Sequence, residues 1–325
     1  MQEGRDTVVR RLGSAVGDEV GRVIVGKADQ TRLVTVALLT GGHVLIDDVP
    51  GVAKTLLVRT FAAALGLSFR RIQCTADLLP ADVTGSTVFD ERGREFVFRP
   101  GPLFADVVLA DEINRATPRT QSAFLEAMQE GSVTVDGTTH PLPQPFMVLA
   151  TQNPVEQKGT FPLPEAQLDR FLLRIRMGYP SAADEVEILR RFRAVDPLDE
   201  VRPVDVAGEL PAAQQEVRDV YVADDVAQYV VALATATREA PGLRLGASPR
   251  ASLALLHAAQ AWAALDGRPF VTPDDVQSLA VPVLAHRVLL SRDAAFAQRD
   301  AEAVLREIVA EVPVPAEQGE TLSAR

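Results

Sequence analysis

Five short apolar runs alternate with helical patterns over the first 180 residues, and this alternation narrows the fold more than any other feature of the chain. The runs lie at 43–47, 68–73, 106–110, 146–152 and 173–177. Runs that are apolar on both faces need cover above and below, which a parallel sheet between helices provides. Helical patterns at 54–65 and 118–129 supply part of that cover. Ahead of the first run, Val8, Leu12, Val16 and Val20 recur every four residues, and a second helical stretch at 30–39 stops at Gly41-Gly42. Two hairpins interrupt the rhythm. One flanks Glu91-Arg92-Gly93-Arg94; the other flanks Asp136-Gly137, a strong turn signal.

After Pro180 the strand signal stops. Helical patterns follow at 182–192, 224–238, 249–265, 273–288 and 294–309, two of them started by Ser248-Pro249 and Thr272-Pro273. The expected organisation is an α/β core over 1–195 with a five-stranded parallel sheet, a Pro- and Val-rich linker at 196–211, an all-α domain at 212–312, and a polar, disordered tail at 313–325. A length of 325 residues suits two domains that each bury a core.

Charge and cysteine content exclude several classes. The chain carries 33 basic against 44 acidic residues, a net charge of −11, which argues against non-specific binding to nucleic acid or anionic membrane. A single cysteine, Cys74, excludes a disulfide framework. Residues 1–11 are charged and have no apolar centre, and no apolar run approaches the eighteen or so residues of a membrane span. A soluble, cytoplasmic protein is expected. Only Lys27, Lys54 and Lys158 among the basic residues are lysines, most simply a coding bias toward arginine, against which each lysine is a candidate position where arginine would not serve.

Lys54 stands in the most informative stretch. The apolar run at 43–47 passes into Asp48-Val49-Pro50-Gly51-Val52-Ala53, then into Lys54-Thr55 at the head of a helix. Strand, tight turn and Lys-Thr helix start are the context of a phosphate-binding loop. Lys54 would reach the β- and γ-phosphates, and the Thr55 hydroxyl would ligate Mg²⁺. Asp48 and Ala53 occupy both glycine positions of the general pattern. The string therefore also reads as a plain strand-to-helix turn with a solvated lysine.

Further along, the run at 106–110 ends in Asp111-Glu112, where Asp111 could hold Mg²⁺ and Glu112 could polarise an attacking water. The run at 146–152 ends at Asn153, placed to orient water or touch a γ-phosphate. Arg170 precedes the last run, where an arginine can serve a neighbouring subunit.

Together these residues resemble the MoxR family of AAA+ ATPases. The resemblance rests on Val49-Pro50-Gly51-Val52-Ala53-Lys54-Thr55, Ala110-Asp111-Glu112-Ile113-Asn114-Arg115-Ala116, Ala150-Thr151-Gln152-Asn153-Pro154 and Pro164-Glu165-Ala166-Gln167-Leu168-Asp169-Arg170-Phe171. It runs from about residue 24 to 287. It implies an AAA+ core followed by a helical lid, binding ATP and Mg²⁺. Lys54 and Thr55 then take the Walker A roles, Asp111 and Glu112 the Walker B roles, Asn153 that of sensor 1, and Arg170 that of an arginine finger acting in trans. Arg115 and Arg119 compete for the last role. Arg250, in Gly246-Ala247-Ser248-Pro249-Arg250-Ala251, resembles sensor 2, and Val25-Gly26 the segment lining the adenine pocket.

The resemblance further implies assembly into a ring, a hexamer, that matures a protein or metal-cofactor complex with a partner carrying a von Willebrand factor A domain. A magnesium-chelatase-type motor subunit, a nucleic-acid translocase of the same clade and a non-hydrolysing ATP-switched scaffold are the competing readings. The resemblance makes Phe96, Phe98 and Phe104 candidate pore or core residues, with one buried strand face the favoured reading of their alternation, and Cys74 and Trp262 are expected in the core. Lys27 and Lys158 are expected at the surface or between subunits.

Overall fold

A computed structural model describes residues 7–47, 51–153, 159–193, 196–204 and 208–315. The chain opens with α1 (Val8–Val23), α2 (Ala28–Leu39), β1 (Val44–Asp47), α3 (Lys54–Ala64), β2 (Phe69–Gln73) and the short α4 (Pro80–Thr84). A hairpin of β3 (Gly85–Asp90) and β4 (Glu95–Pro100) leads to β5 (Val107–Asp111) and α5 (Pro118–Glu130). A second hairpin, β6 (Ser132–Val135) and β7 (Thr138–Pro141), precedes β8 (Met147–Gln152), α6 (Glu165–Leu168), β9 (Leu173–Ile175) and α7 (Ala182–Arg191). The remainder is α8 (Leu210–Arg218), α9 (Asp224–Glu239), β10 (Leu243–Leu245), α10 (Pro249–Leu265), α11 (Pro273–Leu284), β11 (Leu289–Leu290), α12 (Arg292–Phe296) and α13 (Ala301–Glu311).

All five expected runs form one parallel sheet, in the order β2-β5-β8-β1-β9. Alternate side chains serve its two faces. Val44, Ile46, Val107 and Leu109 join one buried cluster; Leu45, Val108, Ala110 and Val148 join the other. Strand β2 departs from the expectation of two apolar faces, because only Ile72 in it is buried. It lies at the sheet edge, where polar side chains meet solvent. The first cluster continues into the C-terminal helices through Leu233, Leu255 and Leu279.

Local chemistry explains the elements. In α1 the buried residues are Val9, Leu12, Val16, Val20 and Val23, so the stripe begins at Val9 while Val8 turns partly outward. A strict four-residue repeat drifts about 40° per step on a 3.6-residue helix. The second hairpin turns through Asp136 (φ 49°) and Gly137 (φ 79°), two consecutive left-handed residues of the kind that match strand twist. The stretch read as a linker is packed where it is described: Leu198 is buried within a 3₁₀ turn, and the Val204 N–H donates to the Ala64 carbonyl at 2.7 Å. A helix, α8, begins at Leu210 inside that stretch.

Further expectations are corrected. The helix expected over 294–309 is two helices, α12 and α13, broken where Gln298 adopts φ 54° and Asp300 caps the second. The helix expected to reach residue 288 stops at Leu284, since the next residues turn to bond another segment and Leu289–Leu290 pairs with β10. Phe96 is 73% exposed and meets Phe89 edge to face at the tip of the first hairpin. A two-stranded ribbon standing off the body has no layer to cover that end. Phe98, by contrast, stacks on His140 of the second hairpin at 3.8 Å and meets Phe104 at 5.5 Å. Trp262 is only partly buried and carries the Arg32 guanidinium 3.9 Å above its ring. The expected tail lies largely outside the described residues. Among these, no helix is long and apolar enough to cross a membrane.

His43 locks the sheet to α5. Its Nδ1 accepts the Val148 N–H and its Nε2–H donates to the Met128 carbonyl, each at 3.0 Å. Burial pushes its pKa down to about 4. The unfolded chain takes up that proton near pH 6.5, so between pH 6.5 and 4 unfolding binds more protons and stability falls as pH falls. The expected loss is about 3 kcal/mol across that window. Denaturant midpoints at pH 7 and 4.5 check it, with His43→Gln expected to flatten the dependence.

Candidate functional site

Parallel pairing brings the C-terminal ends of β1, β5 and β8 to one edge of the sheet: Asp47 is in register with Gln152, and Ala110 with Ala150. That edge is where open α/β sheets bind ligands. A cavity of about 350 Å³ opens there, with Gly51, Ala53, Lys54 and Thr55 on one side and Asp111, Glu112, Thr151 and Asn153 on the other.

The loop side has the backbone geometry that suits an anion. Gly51 has φ 86° and Ala53 φ 58°, and α3 starts at Lys54 immediately after. Ala53 thus takes the left-handed conformation for which the general pattern keeps a glycine, at a cost of about 1–2 kcal/mol. The first-turn N–H groups of an eleven-residue helix have no partner within the helix and attract an anion. Val52 is buried beneath the loop. Asp48, Val49 and Pro50 lie outside the described residues.

On the opposite side, β5 delivers Asp111 and Glu112 together. Asp111 accepts the Thr151 hydroxyl on Oδ1 at 2.6 Å and the Arg71 guanidinium on Oδ2 at 2.6 and 3.0 Å. Glu112 adopts φ 56°, an uncommon conformation for a side-chain-bearing residue, and its N–H donates to Thr151 Oγ1 at 2.8 Å. Its carboxylate accepts Gln73 Nε2 at 3.0 Å and pairs with Arg115 at 3.1 Å. Cys74 lies buried behind the pair; burial, with the charges of Asp111 and Glu112, pushes its thiol up to about 12 and leaves it inert. The Thr55 hydroxyl and Asp111 carboxylate are hard oxygen donors, which fit Mg²⁺. Arg71, Gln73 and Thr151 were not singled out from the sequence. Their signal is weak: Arg71 and Gln73 alternate at the end of β2 and acquire meaning only once β2 is known to lie beside β5, and Thr151 only once β8 is known to flank β5 on the other side.

Other expected site residues are placed elsewhere. Val25 and Gly26 wall a second cavity, of about 580 Å³, together with Lys27 and Arg191. A Cβ on Gly26 would come within 2.6 Å of Asp184, so α7 presses on this segment, and Lys27 faces the same carboxylate. Arg191 ties α7 down by donating to the carbonyls of Gly21 and Arg22. Arg250 is exposed in the first turn of α10, and Arg119 in that of α5. Arg170 is half-buried after α6. Lys158 lies outside the described residues.

The model of the ATPase family associated with various cellular activities (AAA) matches residues 43–173, and that of the AAA lid domain matches 235–308. Chaperone MoxR1 of Mycobacterium tuberculosis is 42% identical over 96% of this chain and 85% of its own. Protein MoxR of Methylorubrum extorquens is 34% identical over 91% and 93%. The chain belongs to the MoxR family of AAA+ ATPases. This MoxR-family protein is also similar to a crystal structure of a candidate ATPase from Cytophaga hutchinsonii. The TM-score is 0.88 at 38% identity, over 95% of this chain and 96% of that one. The protein is an ATPase, with an α/β AAA+ core followed by a helical lid.

Proposed function

We propose that this MoxR-family protein is a Mg²⁺-dependent ATPase that assembles into a ring, a hexamer, and spends ATP to remodel a protein client or mature a metal-cofactor complex. The observation carrying this reading is the convergence of Lys54, Thr55, Asp111, Glu112 and Asn153 on one cavity at the C-terminal edge of the sheet. The chaperone name of the Mycobacterium tuberculosis relative supports the choice of a protein client, as does the net charge of −11.

In this reading the Asp48–Thr55 loop cradles the phosphates, with Lys54 against the β- and γ-phosphates. Val25 and Gly26 border the adenine, and Arg250 approaches from the lid. Thr55 and Asp111 would hold Mg²⁺, which supplies charge neutralisation at the phosphates. Glu112 orients water and accepts its proton, while Asn153 holds that water or the γ-phosphate. Arg170 is offered to the neighbouring subunit's nucleotide. The α/β part is residues 1–195 and the lid 212–312, joined through 196–211. A von Willebrand factor A domain protein is the proposed partner.

Lys54→Ala tests the core of this reading. ATP binding, followed by calorimetry with Mg²⁺ present, is expected to fall below detection, and the melting temperature without nucleotide checks that the variant is still folded. Unchanged ATP affinity in Lys54→Ala would sink the phosphate-loop assignment.

A further inference from the structure

Arg287 follows the end of α11 in the lid, yet its side chain is only 3% exposed and is spent almost entirely on another part of the protein. Nε donates to Asp169 Oδ1 at 2.7 Å. Nη2 donates to the carbonyls of Phe171 at 2.7 Å and Asp169 at 3.4 Å, and Nη1 to that of Leu172 at 3.1 Å. The remaining Nη1 proton goes to the Val283 carbonyl in the last turn of α11. All five N–H groups of the guanidinium therefore have acceptors, and four of those acceptors belong to residues 169–172. The preceding residue adds a further tie: His286 Nε2–H donates to the same Phe171 carbonyl at 2.9 Å. Leu172 N–H in turn donates to the His43 carbonyl, so the gripped segment is also anchored to the strand that leads to the phosphate loop.

Arg170 stands in the middle of this segment. Its neighbours on both sides are held by the lid. A buried guanidinium fork is rigid in a way that a lysine ammonium is not, because it fixes several acceptors in one plane. Burial and the nearby charge of Arg250 work against the charged guanidinium, and Asp169 offsets them in part. Arg250, proposed to approach nucleotide from the lid, thus neighbours the arginine that holds the Arg170 segment.

We propose that Arg287 is a positioning residue that fastens the Arg170 segment to the lid, so that the reach of Arg170 into the neighbouring subunit's site follows the position of the lid. The proposal rests on Arg170 being the trans-acting arginine.

The test uses the full-length assembled protein and the variants Arg287→Lys, Asp169→Asn, Arg170→Ala and Glu112→Gln. Arg287→Lys is expected to lower kcat by about 10²-fold with KM for ATP changed less than about threefold, as expected when a reacting group is displaced by an ångström. Asp169→Asn keeps the shape and removes the charge, and is expected to lower kcat in the same direction. The deciding measurement mixes Arg287→Lys with Glu112→Gln subunits. The first has an intact site and a displaced Arg170; the second has the reverse. Turnover above that of either variant alone supports the proposal, because a site in one subunit is completed by the other. No recovery on mixing overturns it, since the lesion then lies in the Arg287→Lys subunit's own site. Arg287→Lys and Asp169→Asn both keeping kcat within about threefold of wild type, while Arg170→Ala is inactive, also overturns it and leaves the trans role of Arg170 standing. Full activity of Arg170→Ala removes that role, and the proposal with it.

Discussion

Arg170→Ala is expected to lower ATP turnover of the assembled protein by about 10³–10⁵-fold, the range seen when a transition-state arginine is removed. ATP affinity is expected to change little, because the side chain would contact a nucleotide bound by the neighbouring subunit. Arg115 and Arg119 are the competitors for this role. Arg170 is half-buried after α6, and Arg115 is paired with Glu112 of its own subunit at 3.1 Å. Arg119 is exposed at the start of α5. Turnover measured against protein concentration, with assembly followed by sedimentation, checks the prediction. Wild-type turnover by an assembled Arg170→Ala protein would pass the role to Arg115 or Arg119.

Glu112→Gln is expected to reduce turnover by about 10²–10⁴-fold, the usual contribution of a general base, while leaving ATP bound. The glutamine keeps the shape and most of the contacts of the original side chain. Gln73 and Arg115 hold the carboxylate on one side, and Thr151 holds the backbone N–H. The left-handed backbone at Glu112 is of order 1–3 kcal/mol above an ordinary conformation, strain of the kind that accumulates where a side chain must be aimed. Single-turnover hydrolysis and ATP binding, measured on both proteins, separate the effects. Wild type hydrolysing no faster than Glu112→Gln would replace catalysis with a nucleotide-switched scaffold.

Much of the site could be read from local patterns. A lysine in an arginine-rich chain, followed by threonine at a helix start, located the loop side of the cavity. Two carboxylates ending an apolar run located the acid side. The roles of Arg71, Gln73 and Arg287 are not legible in the sequence because they depend on neighbours far away in the chain. Arg71 meets Asp111 across forty residues, and Arg287 meets Asp169 across 118. Phe96 was misjudged for a related reason: alternation along a strand says which side chains share a face, but not whether anything packs against it.

What local chemistry decides, this chain states openly. Strand periods, proline and hydroxyl helix starts, the Asp136-Gly137 turn and the Lys54-Thr55 helix head act within a few residues, so they survive in a linear string. The order β2-β5-β8-β1-β9 does not. Nor does the packing of 196–204 and α8 into the structure, or the hold of the lid on residues 169–172. These follow from which apolar faces meet and which buried donors find acceptors, and both are settled only when the whole chain competes for one interior.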